Sequence, residues 1–535
     1  MSNLKRLVQC FFYAAILALI LSRAVSSGIN HDENQFISPG QLLADQGLLP
    51  YRDYPYTHMP YAIPFYALAV SISKFDYLAT RLLGVLTWMG CIAAVVAIFH
   101  LTGRYLSKSD SWDVSWAALL GEFGLVIVFV YHPLAVFLQG SPLNHMLGTL
   151  FSLLALLMFL RGVTGIGRLQ TAAFWSGCFI CIAGLTRFNY AGLVPVLWSL
   201  WLVYVIIFKP SHPPRLQATF MGGVLVAAVP ALVLAAMAPA HFYYGNIAYI
   251  QLNTLYYRGM RLRETMDLAS KVAVFVDSVV RSPLTVILYA VAVTSTIVLV
   301  VRMLRRQFLI GDMIAVAGLA FAGTLLLTAF APTPTQLQYF FGPLPFILVV
   351  LALPVWLLYQ KSRLAYMAAC FLLVALVGLH TARPGPIQEL QVLLHPEAWP
   401  PLQIHAFADR LSSQQHVPPG RILAILPMVP SEAGYASYPF TATGPFSWRT
   451  SVLLSAQRRE QYGVTSPEEL PSLLDAAPPV AILTGLEPPK AGFTYRDTGG
   501  LERPFEQYAE QHGYAPLALY APFLEHSVTL WVRRP

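Results

Sequence analysis

Charge is what this sequence has least of. Only 11% of its 535 residues are charged, against roughly a quarter in an ordinary soluble domain. With 56% of the residues hydrophobic, too little polar surface remains for a soluble globular protein, and the excess apolar surface needs lipid as its solvent. Cysteine is scarce too. Cys10, Cys91, Cys178, Cys181 and Cys370 all fall inside apolar runs, so the water-exposed segments have no means of forming disulfides. The CxxC made by Cys178 and Cys181 reads as small packing residues in an apolar helix. Internal repeats and low-complexity tracts are absent. The formal charge of +8 lies in short Lys/Arg clusters between apolar runs, which is a topology signal and excludes a phosphate-tracking nucleic-acid surface.

What the sequence has in abundance is apolar runs of spanning length. Helical runs are read at about 7–26, 78–103, 114–131, 143–160, 171–186, 188–208, 217–237, 283–301, 309–331, 337–358 and 364–380, about eleven spans in all. The first follows Lys5 and Arg6 and has the form of either a signal peptide or an uncleaved anchor. The anchor is preferred, because the polar segment from Gly28 to Tyr61 is too particular for a processing scar. Pro60 to Ser73 is apolar but short and holds two prolines, so it reads as interfacial or re-entrant.

An N-terminus in the cytoplasm gives every inside loop at least two positive charges: Lys5 and Arg6, Arg104 and Lys108, Arg161 and Arg168, Lys209 and Arg215, Arg302 with Arg305 and Arg306, and Lys361 with Arg363. The short loops at 132–142 and 332–336 then face outside with none. Three large segments share that outside face: 27–77, 238–282 and everything after about 381. The expected organisation is a membrane domain over 1–380 and a small extracytoplasmic α/β domain over 381–535. In the latter, strands are expected at 421–426, 480–484 and 528–532, and helices at 402–413 and 466–475. Ser466 followed by Glu469 has capping-box spacing for the second helix.

The first outside loop holds the best candidates for chemistry. Asp32 and Glu33 stand a few residues beyond a span, where desolvation can tune a carboxyl toward a general base. A solvated loop that caps the following helix would also explain them. Glu122 is the clearest mid-membrane carboxylate, and a hydrogen bond to a neighbouring helix accounts for it as well as a functional role does. The loop 238–282 is rich in tyrosines that suit either sugar rings or an interfacial aromatic belt.

The acidic pair after the first span, the Gly-x-x-x-Tyr-x-Asp stretch from Gly47 to Asp53, and His58-Met59-Pro60 in place of a basic-Pro-Pro element resemble the first loop of the GT-C membrane glycosyltransferases. The similarity is greatest to the branch holding protein O-mannosyltransferases and the lipid A aminoarabinose and galacturonic acid transferases. Gly184 to Tyr190 is similar to that family's Gly-Leu-x-Lys/Arg turn, and Pro334 to Pro345, with Gln338 and Tyr339 at its centre, to its donor-phosphate loop.

The resemblance implies an α-helical GT-C-like enzyme of a bacterial inner membrane, which moves a sugar from a polyprenyl-phosphate donor to an extracytoplasmic lipid, glycan or protein. It makes Asp32 the general base and Glu33 its support. It gives donor-phosphate binding to His58, Arg187, Arg258, Arg261, Arg263 and Tyr339, although lipid headgroup contact explains each arginine equally well. Where the family carries a second-loop carboxylate this chain has His145, which is either a ligand for a divalent metal, a proton partner of Asp32 or a helix-start residue. A transporter or flippase for a lipid-linked envelope precursor is the alternative, and it is disfavoured by the lack of a repeat.

Overall fold

The computed structural model describes residues 3–107, 116–141, 143–210, 213–260, 265–380, 386–487 and 500–533. Among these, nine helices are long and apolar enough to cross a membrane, and the chain is an integral, multi-pass α-helical membrane protein. Each of the eleven apolar runs is helical. One of them is interrupted for an identifiable reason. The run at 114–131 forms the helix Trp116–Tyr131, and a second helix, Pro133–Gln139, leaves it at 68°. There His132 caps the new helix by accepting the Leu134 N–H, and Pro133 has no N–H with which to continue the old one. The last run gives the 18-residue helix Arg363–His380. Pro60 to Ser73 becomes a 3₁₀ turn and a nine-residue helix, Ile63–Ser71, only about 13 Å long at 1.5 Å per residue.

Lipid tails are as apolar as leucine, so close packing and polar contacts hold the helices together. The helices Leu169–Thr186 and Pro213–Met237 cross through glycines. A Cβ on Gly177 would sit 2.2 Å from the Phe220 carbonyl oxygen, and one on Gly223 would sit 2.1 Å from that of Phe174. Glu122 is fully buried and joins three helices. It accepts from Gln9 (2.9 Å) and Tyr13 of the first helix, Asn3–Ser26, and pairs with His100 at 2.7 Å on Asp76–Ser107.

The C-terminal part is a four-stranded sheet with helices packed around it. Its strands are β1 (Ile422–Ala424), β2 (Ala481–Thr484), β3 (Tyr514–Ala521) and β4 (His526–Arg533), in the order β1-β2-β4-β3, with β1 and β2 parallel and the other pairs antiparallel. Three strands coincide with expected ones; β3 is new. It carries Pro516 and no clean alternation, and only an edge strand tolerates that. The helix Pro400–Ser413 covers the expected 402–413, whereas the second helix starts later, at Leu470. Glu469 does accept the Ser466 N–H at 3.1 Å, but Ser466 Oγ has no partner among the described residues, and Pro471 sits in the first turn.

This sheet part rests on the membrane helices. Asn34 donates to the Ala442 carbonyl and accepts the Met428 N–H at 3.1 Å, both contacts buried. One cluster of buried apolar side chains runs from Ile16 in the first helix to Leu530 in β4.

Candidate functional site

The site begins at the helix His31–Gln46. Asn30 caps it by accepting the Asp32 N–H at 3.0 Å, and Gly47 ends it at φ 64°, a left-handed conformation that costs glycine little. Helical phase then separates the acidic pair. Asp32, Gln35 and Phe36, three and four residues apart, share the face that lines a cavity of about 680 Å³. Glu33, one step of about 100° further round, points into the protein and is fully buried. It lies 3.0 Å from Arg81 and accepts from Tyr77. Arg81 also donates to the carbonyls of Ala24 and Gly28, each at 2.9 Å, so this buried pair ties down the link that leads to Asp32.

Removing one partner of a buried ion pair strands the other, at a cost of about 3–5 kcal/mol. Glu33→Ala is therefore expected to lower the thermal unfolding temperature of the detergent-solubilised protein by several degrees. A melting curve superposable on that of the unchanged protein would show that the pair contributes nothing.

Three stretches distant in sequence close the cavity around Asp32. From between two spans comes Arg187, half-buried, which donates to Asn144 Oδ1 at 2.7 Å and lies 5.1 Å from the centre of the Tyr339 ring. From the helix Tyr249–Gly259 come Tyr249, Asn253, Tyr256 and Tyr257, which are spaced to share one face. From the sheet part come Phe446, Arg449 and Glu487. Arg449, on Pro445–Ser451, is 8% exposed, donates to Asn253 Oδ1 at 2.7 Å, and stands over the rings of Phe446, Tyr257 and Tyr256 at 4.5, 5.1 and 5.3 Å. Neither arginine has a carboxylate within ion-pair reach among the described residues, and the Nε of each is unbonded there.

Electrostatics sorts the remaining groups. Burial works against the Asp32 carboxylate, but His31 at 3.2 Å and the charge of Arg449 outweigh it and hold the group below the usual carboxylate range. Asp32 is therefore ionised and 27% exposed, facing the cavity. His58 contacts Gln35, and burial, with Arg187 nearby, pushes its imidazole down to about 3. It is neutral at pH 7 and offers a hydrogen bond but no fixed positive charge.

His145 starts the helix Asn144–Val163 and stacks on Tyr339 with ring centres 5.9 Å apart. Among the described residues no group of three His, Cys, Asp or Glu side chains is placed to hold a metal ion. The cavity thus gathers Asp32, His58, His145, Arg187 and Tyr339 from the sequence candidates. Arg258 is exposed and off the cavity face of its helix, Glu33 is behind it, and Arg261 and Arg263 lie outside the described residues. Sequence reasoning missed His31, Arg449 and Glu487. Arg449 directly follows Phe446-Ser447-Trp448, and nothing in that stretch is specific to a ligand.

No family model matches the chain, and no curated protein matches its sequence. Solved structures do. ArnT from Cupriavidus metallidurans in the apo state aligns with a TM-score of 0.56 at 12% identity over 100% of both chains. The same protein bound to undecaprenyl phosphate aligns at 0.55 and 12% identity over 99% of both. The archaeal oligosaccharyltransferase AglB from Archaeoglobus fulgidus, in complex with an inhibitory peptide and a dolichol-phosphate, gives 0.46 and 13% over 100% of this chain and 75% of its own. With its multi-pass helical body and its small C-terminal sheet, the chain shares its fold with the ArnT structures.

Proposed function

We propose that this protein transfers a sugar from a polyprenyl-phosphate donor to a hydroxyl-bearing acceptor outside the cytoplasm. One observation carries the reading: an ionised carboxylate, Asp32, shares a cavity with two arginines, Arg187 and Arg449, that among the described residues have no carboxylate within ion-pair reach. That is the charge arrangement a phosphate leaving group requires. The ArnT structure with undecaprenyl phosphate supports the donor class through its shared fold.

In the reaction the acceptor O–H loses its proton to Asp32 as its oxygen bonds the anomeric carbon. The bond from that carbon to the phosphate oxygen breaks, and the electron pair leaves on the phosphate. The transition state is oxocarbenium-like, so charge builds on the departing oxygen, where Arg187 and Arg449 hold it and Tyr339 donates a hydrogen bond. His58, neutral, donates its one N–H to Gln35 and leaves its other ring nitrogen as an acceptor. Glu33, paired with Arg81, holds the helix start that aims Asp32. Attack opposite the leaving group inverts the sugar carbon.

The loop charges support a cavity that opens on the extracytoplasmic face, an N-terminus in the cytoplasm and, for a bacterial chain, the inner membrane. The sheet part then covers the outer mouth. Acceptors of this geometry are lipids, glycans or proteins with a free hydroxyl.

The reading is tested by feeding a sugar-labelled polyprenyl phosphate to membranes that contain or lack the protein. Label is expected to pass from the lipid donor to an acceptor only where the protein is present. Movement of intact labelled lipid across the membrane without transfer would instead identify a transporter.

A further inference from the structure

We propose that His31 is a positioning residue which, held by Glu487 of the C-terminal part, keeps Asp32 in place as an ionised base. The inference rests on the transferase reading above and goes beyond it by giving the sheet part a share in the chemistry. His31 Nε2 lies 3.2 Å from Asp32 Oδ1, and His31 Nδ1 lies 3.3 Å from Glu487 Oε1. Both ring nitrogens therefore face carboxylate oxygens, and only the doubly protonated imidazolium satisfies both at once. Its ring also sits 5.7 Å from that of Phe446, which lines the same cavity.

Glu487 is itself fixed. It follows Gly485 and Leu486, whose N–H groups donate to the carboxylate of Glu502 at 2.8 and 3.3 Å, and Glu502 is 6% exposed. The chain of contacts runs from Glu502 through the backbone to Glu487, then to His31 and Asp32. The other charged or titratable groups facing it are Arg449 from Pro445–Ser451, Tyr249 from Tyr249–Gly259, His58 from the turn after His31–Gln46, and Arg187 with Tyr339 from the opposite wall.

Burial pulls the His31 imidazole down, yet its two carboxylate neighbours raise it to about 9. The charged form, and with it the grip on Asp32, is present below that pH and is lost as the pH rises through it. Removing Glu487 leaves one carboxylate against the same burial, so the loss moves toward the ordinary histidine value near 6.5.

The test follows ¹⁵N-labelled histidine signals of the purified full-length protein through a pH titration, with the His31 signal identified by its disappearance in His31→Gln. The expected midpoint is near 9 in the unchanged protein, at least about one pH unit lower in Glu487→Gln, and close to the original in Glu487→Asp. The alkaline limb of kcat for sugar transfer is expected to move by the same amount, with KM for the lipid donor unchanged. A midpoint near 6.5 in the unchanged protein, or one that Glu487→Gln leaves in place, overturns the coupling whatever the activity. Midpoints that move as expected in a protein that transfers no sugar would instead sink the transferase reading, and the role of His31 with it.

Discussion

Asp32→Asn will lower kcat for sugar transfer by about 10²- to 10⁴-fold, the range that a positioned general base contributes, while the protein folds normally and still binds the lipid donor. The substitution keeps the side chain's shape and the helix start, because Asn30 caps through the backbone N–H of residue 32 and not through its side chain. What it removes is the negative charge opposite Arg187 and Arg449. Affinity for an anionic donor is therefore expected to stay level or rise, since a carboxylate repels the phosphate that those arginines attract. Transfer rates measured at saturating donor separate the two effects. An Asp32→Asn protein with unchanged kcat would remove Asp32 from the chemistry.

The second large effect is expected at the arginines. A charge-assisted hydrogen bond contributes about 1.5–3 kcal/mol, and tenfold in affinity is about 1.4 kcal/mol. Arg187→Gln and Arg449→Gln should therefore each weaken binding of undecaprenyl phosphate by about 10- to 100-fold, as measured by native mass spectrometry or a lipid-displacement assay. Arg258→Gln is the internal comparison. It is exposed and off the cavity face of its helix, and its replacement should change affinity by less than about twofold, the scale of a screened surface charge. Equal losses at all three positions would mean that general attraction to the lipid surface, and not the cavity, holds the phosphate.

The membrane part was legible because spanning helices announce themselves within one window of sequence: every apolar run is a helix, and even the interruption after Tyr131 is marked by Pro133. The sheet part was legible in the fully buried β2 and in β4, where Val528 and Leu530 alternate inward, and illegible in β3, where Pro516 and exposed positions hide an edge strand. The acidic pair was visible as a pair, but its two members could not be told apart without the phase of the helix that starts after Asn30. That phase sends Asp32 to the cavity and Glu33 to Arg81.

Arg449 and Glu487 had no local signature at all. Their place beside Asp32 exists only because the sheet part docks on the helix His31–Gln46 through Asn34, Met428 and Ala442. Glu122 shows the same limit inside the membrane: the sequence isolates it, whereas packing gives it Gln9, Tyr13 and His100.

The most direct measurement of the central claim is an experimental structure of the protein with undecaprenyl phosphate bound. The phosphate is predicted to lie in the cavity within hydrogen-bond reach of Arg187, Arg449 or both, with Asp32 facing the space where the sugar would stand. A lipid seated on the outer faces of the helices, with its phosphate away from both arginines, would contradict the account.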